Sequence, residues 1–459
     1  MKIVIATAVY YPMINGVANF SHHLAEGLAR RGHQVLVITP SQTGKNYSEV
    51  TNGVRTEYLN SIQLKLYPDQ IHGADDEGID VRAEVEKELP RHRFWRGKLH
   101  FPWYRHGLRV SVFPRSEITR ILDDFCPDVV HIQVSDPIGL SVAGFARKRG
   151  IPVVTTEHNQ PEVLTSSLHL GILRRPANYL LATYFRSRQK KSDFVTMPTE
   201  RAILHLLSGH EPLAIPIAAV SNGVDLTHFT PGEADGEVYR KYGLNKKAHY
   251  ILYVGRVDPE KRVGDVIKAF NEARRKLPKS SDPTKVARPD SGEATSTAEQ
   301  ARPELPADTH LLIVGDGTDL PRLRKMVTRM KLEGKVKFLG KVLPPDLYEI
   351  YKVGSAFATA SPVETQGIVL IEAAATGLPL IAVDKGATSE ICKDGENGCL
   401  CRAGDISQMA SAIREIMTDD SLRAKYSKAS LALAREHDLE RTLDKFLNIY
   451  RRVLLEKKK

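Results

Sequence analysis

Short apolar runs alternate with helical patterns along the first half of the chain. Lys2–Ala6 and Gln34–Ile38 predict two buried strands, and Gly32 marks the end of a helix between them. The apolar residues of that helix recur on one face: Val17, Phe20, Leu24 and Leu28. Asp128–Ile132 and Pro152–Thr156 predict two further strands, with a helical pattern around residues 141–148. This strand–helix–strand order predicts a parallel sheet with right-handed crossovers.

The same alternation restarts in the second half. The predicted strands are Tyr250–Val254, His310–Val314, Val336–Leu339, Ala356–Ala360 and Leu380–Val383. The predicted helices are Val263–Arg275, Leu320–Met330 and Gly367–Thr376. A chain of 459 residues is too long for one core. We therefore expect two α/β domains, over residues 1–221 and 222–435, followed by a helix over residues 436–459.

Two segments depart from this alternation. Residues 276–306 contain five prolines and few large aliphatic side chains, which predicts a disordered surface insert. Residues 91–115 contain no acidic residue and hold both tryptophans of the chain, Trp95 and Trp103, among seven basic residues. Such a segment is typical of an anionic bilayer interface. It is equally compatible with a loop whose aromatic side chains fold inward.

Composition narrows the class of protein. The chain carries a net charge of +10, with 42% hydrophobic and 26% charged residues, as in ordinary globular proteins. Nucleotide phosphates and anionic lipid head groups fit this charge, whereas no nucleic-acid-binding motif is visible. The four cysteines lack metal-ligand spacing, and neither an 18-residue apolar run nor a signal peptide is evident. We expect a cytoplasmic location.

A loop between a predicted strand and a predicted helix carries two glutamates. Glu364 lies before the helix and Glu372 lies one to two turns inside it, with Gly367 between them. A helix start offers free backbone N–H groups and the positive end of the dipole, which suit a phosphate or a sugar. The two carboxylates can therefore address different ends of one extended ligand.

This loop, Ser361 to Glu372, resembles that of the family 4 retaining glycosyltransferases of the GT-B fold. Four other motifs resemble the same family, so that the similarity covers nearly the whole chain: Asn15-Gly16-Val17, Val254 to Lys261, Val314 to Gly317 and Gly340-Lys341-Val342. The resemblance implies two Rossmann-like domains facing each other across a cleft. It also implies that the C-terminal helix crosses back to the first domain, through an apolar stripe formed by Leu439, Leu443, Phe446, Tyr450, Val453 and Leu454.

The resemblance further implies a set of site residues. Those expected to bind the nucleotide-sugar donor are Gly16, Arg256, Lys261, Gly315, Val342, Thr365, Gln366, Gly367, Ile368 and Glu372. Within this set, Arg256 and Lys261 would hold the diphosphate and Glu372 the ribose, while Glu364 would bind a hydroxyl of the donor sugar. Fixed cations at a departing diphosphate stabilise the transition state more than the ground state. Because no Asp-x-Asp motif is present, we expect neither a metal site nor a cofactor.

His158 is the other catalytic candidate beside Glu364. It follows the predicted strand Pro152–Thr156, and open α/β sheets bind ligands at the carboxyl ends of their strands. It resembles the active-site histidine of the family, close to the transferred sugar. Two alternatives stay open: Glu157 is the relevant group, or His158 only caps the strand.

The sequence Glu364-Thr365-Gln366-Gly367 resembles the branch of the family that glucosylates diacylglycerol. It implies retaining transfer of a hexose, glucose from UDP-glucose, to a membrane lipid by a protein bound peripherally to the anionic inner face of the cell membrane. The alternatives are a soluble or polyprenyl-linked sugar acceptor, a nucleotide-sugar epimerase and a non-catalytic sugar-binding protein. A dinucleotide-dependent oxidoreductase is disfavoured because no Gly-x-Gly-x-x-Gly follows the first strand.

Overall fold

The computed structural model describes residues 1–11, 13, 15–63, 109–111, 114–133, 136–158, 174–208, 213–275 and 304–458. Most of segment 91–115, including Trp95 and Trp103, and most of insert 276–306 lie outside the described residues. The described chain divides into two compact units. The first domain comprises Met1–Asp225, Val363–Ile368 and Glu436–Lys459, and the second comprises Leu226–Pro362 and Val369–Arg435.

The first domain is built on a mainly parallel sheet. Its strands are β1 (Lys2–Ala6), β2 (Gln34–Pro40), β3 (Tyr47–Thr51), β4 (Val54–Leu59), β5 (Ile62–Gln63), β6 (Arg109–Val110), β7 (Val129–Ile132), β8 (Val153–Thr156), β9 (Phe194–Met197) and β10 (Ile217–Ala219). Among the described residues, eight of them form one sheet in the order β10-β9-β8-β7-β1-β2-β4-β3. Only β3 runs antiparallel within it, and β5 pairs with β6 separately.

Helices of the first domain cover this sheet. They are α1 (Gly16–Arg30), α2 (Arg115–Phe125), α3 (Pro137–Lys148), α4 (Arg174–Gln189) and α5 (Glu200–Leu207). The Asn15 side chain caps α1 by accepting hydrogen bonds from the backbone N–H groups of Val17 and Ala18. The apolar face of α1 predicted from the sequence is buried through Phe20, Leu24 and Leu28.

The second domain repeats the arrangement with a parallel sheet. Its strands are β11 (His249–Val254), β12 (Thr309–Val314), β13 (Val336–Gly340), β14 (Ala356–Ala358), β15 (Leu380–Val383) and β16 (Gly398–Cys401). Its helices are α6 (Gly236–Lys241), α7 (Val263–Arg274), α8 (Leu320–Arg329), α9 (Asp346–Val353), α10 (Ile368–Ala375), α11 (Thr388–Ile391), α12 (Ile406–Thr418) and α13 (Asp420–Glu436), with a 3-10 turn at Pro259–Lys261. In the described part of this domain the strand order is β13-β12-β11-β14-β15-β16. The predicted fold class, two α/β domains with parallel strands, is confirmed.

The C-terminal helix α14 (Leu439–Lys457) packs on the first domain. Its apolar stripe, including Leu443, Phe446 and Tyr450, shares one core with Phe20 of α1 and Ile5 of β1. At the entry to this helix, the Leu439 N–H donates to the Val224 carbonyl at 3.0 Å, and the Val224 N–H donates to the His437 carbonyl at 2.9 Å. None of the helices that the structure describes has the length and apolar character needed to cross a bilayer.

Candidate active site

The carboxyl ends of β7 and β8 carry buried polar side chains. His158, two residues beyond β8, is only 8% exposed, and a 2.8 Å hydrogen bond joins its Nε2 to Oε1 of Gln133. The edge of the His158 ring also meets Phe20 of α1, with 5.3 Å between ring centroids. Burial lowers the pKa of His158 to about 3, so the imidazole is neutral at physiological pH.

A second histidine lies behind this pair. His131 on β7 is fully buried, and its two ring nitrogens each lie 2.6 Å from a hydroxyl, Nδ1 from that of Tyr450 and Nε2 from that of Thr156. Burial, with a smaller contribution from His158, lowers the pKa of His131 to about 3. Two neutral imidazoles therefore lie at this end of the sheet.

The loop that carries Glu364 groups with the first domain because backbone and side-chain hydrogen bonds hold it there. Thr199 donates to the carbonyl of Thr365 at 3.0 Å. The amide of Gln366 accepts from the backbone N–H of Asn222 at 3.1 Å and donates to the Ser221 hydroxyl at 2.6 Å. The Gln366 side chain thus has an observed part in fixing the loop, and its contact with a donor stays a prediction.

The end of this loop meets the start of α1. Gly367 has φ +79°, a conformation that favours glycine, and leads directly into α10. The side chain of Ile368, the first residue of α10, approaches Gly16, the first residue of α1: a Cβ on Gly16 would lie 3.5 Å from its Cδ1. The predicted residues Gly16, Gly367 and Ile368 are therefore brought together.

In the second domain, Arg256 is held by carboxylates. Its guanidinium pairs with Asp258 and with Glu260, the latter at 3.1 Å. Asp258 is buried, and it also accepts hydrogen bonds from the backbone N–H and the hydroxyl of Thr318, both at 2.9 Å. Arg256 is therefore a fixed, partly exposed cation, and Lys261 follows in the 3-10 turn Pro259–Lys261.

The glycine turns after β11 and β12 pack backbone against backbone. Gly315 has φ +129°, and a Cβ at this position would lie 1.9 Å from the Gly255 carbonyl oxygen, a distance that no side chain tolerates. The Gly315 N–H donates to the Gly340 carbonyl at 2.7 Å, so the ends of β12 and β13 are also tied together. Val342, shortly after β13, is buried. These contacts explain the glycines structurally, and their role towards a nucleotide stays a prediction.

Glu372 lies inside α10 with an unusual carboxyl group. The hydroxyl of Tyr351 on α9 donates to its Oε2 at 2.6 Å. Burial raises the pKa of Glu372 to about 7, and the Tyr351 hydrogen bond opposes this rise only in part. The raised pKa follows from the burial of the carboxyl group, and the contact of Glu372 with a ribose stays a prediction.

Seven of the twelve predicted site residues belong to the first domain: Gly16, His158, Glu364, Thr365, Gln366, Gly367 and Ile368. The other five belong to the second domain: Arg256, Lys261, Gly315, Val342 and Glu372. Within the described ranges, no group of three or more His, Cys, Asp or Glu residues is placed to hold a metal ion.

Several polar partners of these residues were not predicted from the sequence. Gln133 and His131 support His158, Asp258 holds Arg256, and Tyr351 contacts Glu372. The available signal lay at the end of β7, where His131 in the strand and Gln133 one residue beyond it interrupt a run of apolar residues.

Comparisons with known proteins agree with this architecture. Residues 14–228 match the model of Glycosyltransferase Family 4, and residues 236–432 match that of Glycosyl transferases group 1. The alpha-monoglucosyldiacylglycerol synthase of Acholeplasma laidlawii is 24% identical over 87% of this chain and 84% of its own length. The D-inositol 3-phosphate glycosyltransferase of Rhodococcus erythropolis is 27% identical over 68% of this chain and 65% of its own length.

A solved structure shows the same fold. The Anabaena protein HepE, crystallised in complex with UDP, superposes with a TM-score of 0.62 over 98% of this chain and 99% of its own, at 16% identity. The two family models together span most of the chain, and each coincides with one of the α/β domains. The chain is therefore a glycosyltransferase of family 4, with the two-domain GT-B fold.

Proposed function

We propose that this glycosyltransferase transfers glucose from UDP-glucose to the hydroxyl of a membrane lipid such as diacylglycerol, with retention of the α anomer. The donor is supported by the UDP complex of HepE and the acceptor by the alpha-monoglucosyldiacylglycerol synthase of Acholeplasma laidlawii. One feature of the first domain carries the lipid part of the proposal.

That feature is the exposed face of helix α4. Tyr179, Leu180 and Tyr184 are 56%, 67% and 41% exposed, although they are large and apolar. The opposite face is buried, and Phe185 packs there against the core formed with α5. An exposed aromatic and aliphatic face on a helix is typical of contact with the interfacial layer of a bilayer.

The charge around α4 has the sign that an anionic membrane requires. No acidic residue occurs between Glu162 and Asp193. Basic residues lie at both ends of the helix: Arg174, Arg175, Arg188, Lys190 and Lys191. The Arg188 guanidinium lies 5.0 Å from the centre of the Tyr184 ring, beside the exposed face. Basic residues near an anionic surface contribute about 1 kcal/mol each. The α4 face would thus contribute both hydrophobic and electrostatic free energy to binding at an anionic membrane.

The donor roles follow the sequence motifs. Arg256 and Lys261 bind the diphosphate and stabilise its charge as it departs, while Glu372 accepts hydrogen bonds from the ribose hydroxyls. Glu364 binds a hydroxyl of the donor hexose, and His158, as a neutral imidazole, contacts the transferred sugar. We assign no covalent nucleophile. The departing phosphate itself is the base that accepts the acceptor's proton.

Vesicle binding tests the lipid part directly. We expect the protein to sediment with anionic vesicles more than with neutral ones, and the Tyr179→Ser, Leu180→Ser, Tyr184→Ser variant to lose most of this binding. Leu204→Ser provides a matched control, because Leu204 on α5 is a helical leucine of the same domain with the same exposure of 67%. Binding that is unchanged in the triple variant, or reduced equally in the control, would overturn the role of α4 and favour a soluble acceptor.

A further inference from the structure

A chain of buried polar contacts runs from the C-terminal helix to His158. Tyr450 on α14 contacts His131 on β7, the Gln133 amide lies against His131, and Gln133 contacts His158. All four residues belong to the first domain, and each is less than 9% exposed. Apolar packing alone would hold α14 on the sheet, and each buried polar group has a desolvation cost unless it is hydrogen-bonded. Docking of α14 on the sheet therefore does not by itself explain why these buried polar contacts are present.

The contact between Gln133 and His158 determines where the imidazole carries its proton. A neutral imidazole has one N–H donor and one acceptor nitrogen. An amide oxygen can only accept, so Oε1 of Gln133, 2.8 Å from Nε2 of His158, requires the proton on Nε2. The Nδ1 atom of His158 is then left as an acceptor. The orientation of the Gln133 amide consequently selects the tautomer.

His131 selects that orientation of the amide. The Gln133 nitrogen lies 3.4 Å from Nδ1 and 3.3 Å from Nε2 of His131. Because the hydroxyls of Tyr450 and Thr156 already contact these two nitrogens, we infer that the amide approaches the imidazole from its face. The face of a neutral aromatic ring is electron-rich and attracts an N–H group more than a carbonyl oxygen. The nitrogen of the amide therefore stays towards His131 and the oxygen towards His158.

Tyr450 holds the His131 ring in the required position. Its hydroxyl lies 2.6 Å from Nδ1, while the Thr156 hydroxyl lies 2.6 Å from Nε2, so that both in-plane positions of the imidazole are occupied. Phe446, one turn earlier on α14, packs on the same ring with 5.0 Å between centroids. The C-terminal helix thereby fixes the histidine that orients the glutamine.

We propose that Gln133 is a positioning residue that holds His158 as its Nε2–H tautomer, and that Tyr450 of the C-terminal helix supports it through His131. The proposal deepens the proposed function, because its catalytic consequence rests on the contact of His158 with the transferred sugar. With the tautomer fixed, His158 offers Nδ1 to a hydroxyl donor in every turnover. Without Gln133, the proton distributes between the two nitrogens and the ring loses its anchor.

The test combines imidazole ¹⁵N chemical shifts with steady-state kinetics. In the wild type we expect His158 to show the Nε2–H pattern. Gln133→Met keeps the side-chain length but removes the acceptor, and should abolish that pattern and lower kcat about tenfold or more, with little change in KM for the donor. Gln133→Glu keeps an acceptor and should restore the Nε2–H pattern. Tyr450→Phe, which keeps the ring, should reduce kcat by a smaller factor and change the shifts of His131.

The control is Gln189→Met, which removes a buried glutamine in α4 whose amide has no hydrogen-bond partner among the described residues. It should leave kcat and the His158 shifts unchanged. A wild-type His158 that carries its proton on Nδ1, or a folded Gln133→Met protein with unchanged shifts and kcat, would overturn the proposal. Full activity of His158→Ala would instead overturn the proposed role of His158, while the shifts would still decide whether Gln133 sets the tautomer.

Discussion

Replacing Glu372 by Gln should stabilise the protein at alkaline pH while weakening its donor site. Folding raises the pKa of this carboxyl from 4.5 to about 7, chiefly by burial. The native state therefore binds this proton more tightly than the unfolded state does. It follows that the free energy of unfolding falls as the pH rises from 4.5 through 7. The full loss of stability is present above both pKa values.

The size of the effect follows from the pKa difference. At about 1.4 kcal/mol per pKa unit, the ionised Glu372 lowers the free energy of unfolding at pH 8 by up to about 3 kcal/mol. The substituted glutamine has no charge to bury, and its amide oxygen can still accept from the Tyr351 hydroxyl, which lies 2.6 Å from Glu372 Oε2. We therefore expect the melting temperature of Glu372→Gln to exceed that of the wild type at pH 8 by roughly 5 °C or more, and to approach it near pH 5.

Thermal unfolding at both pH values, together with UDP titration by calorimetry, measures the two effects. Glu333→Gln is the matched control, since it removes the same charge from an exposed position of the second domain. It should change neither the pH dependence of stability nor the UDP affinity. A Glu372→Gln protein that is no more stable than the wild type at pH 8 would refute the burial argument. Unchanged UDP affinity would refute the assignment to the ribose.

Three further outcomes are expected. Glu364→Gln should lower turnover more than UDP affinity, because Glu364 is assigned to the hexose and not the nucleotide; an equal loss in both would contradict that division. Gly315→Ala should destabilise the second domain by about 3 kcal/mol or more, because the new Cβ would lie 1.9 Å from the Gly255 carbonyl oxygen. Gly334→Ala is the control and should melt like the wild type, because its Cβ would meet no atom within 4 Å. Turnover should persist in EDTA, because Arg256 and Lys261 are assigned the charge stabilisation; recovery only with Mg²⁺ or Mn²⁺ would assign it to a metal.

Nine strands were predictable because a parallel strand covered on both faces is a short apolar run. β1 and β15 have the predicted bounds, Lys2–Ala6 and Leu380–Val383, and the other seven predicted strands differ by one or two residues at an end. The remaining described strands, β3 to β6, β9, β10 and β16, were not predicted from the sequence. The helix α3 begins four residues before the predicted pattern, at Pro137, because Asp136 caps it by accepting from the Gly139 N–H. Caps extend helices into stretches without apolar periodicity.

Three of the contacts at the candidate site could not be predicted because they join distant parts of the chain: Gln133 with His158, Tyr450 with His131, and Tyr351 with Glu372. In the sequence, Tyr450 occupies one of the apolar positions of the α14 stripe. In the structure, its hydroxyl contacts His131, which lies 319 residues earlier. The segment Val363–Ile368 lies within the predicted second domain, yet it groups with the first, where it is bonded to Thr199, Ser221 and Asn222. The apolar periodicity of a sequence indicates which residues are buried, whereas hydrogen bonds between distant residues depend on the tertiary fold.

The most direct measurement of the central claim is product formation at a membrane. The protein is incubated with UDP-[¹⁴C]glucose and anionic vesicles containing diacylglycerol, and the lipid and aqueous phases are separated and analysed by mass. We predict a labelled lipid carrying one hexose, released as the α anomer by an α-glucosidase and absent without diacylglycerol. No labelled lipid, together with transfer from the same donor to a soluble sugar or sugar phosphate, would contradict the lipid acceptor.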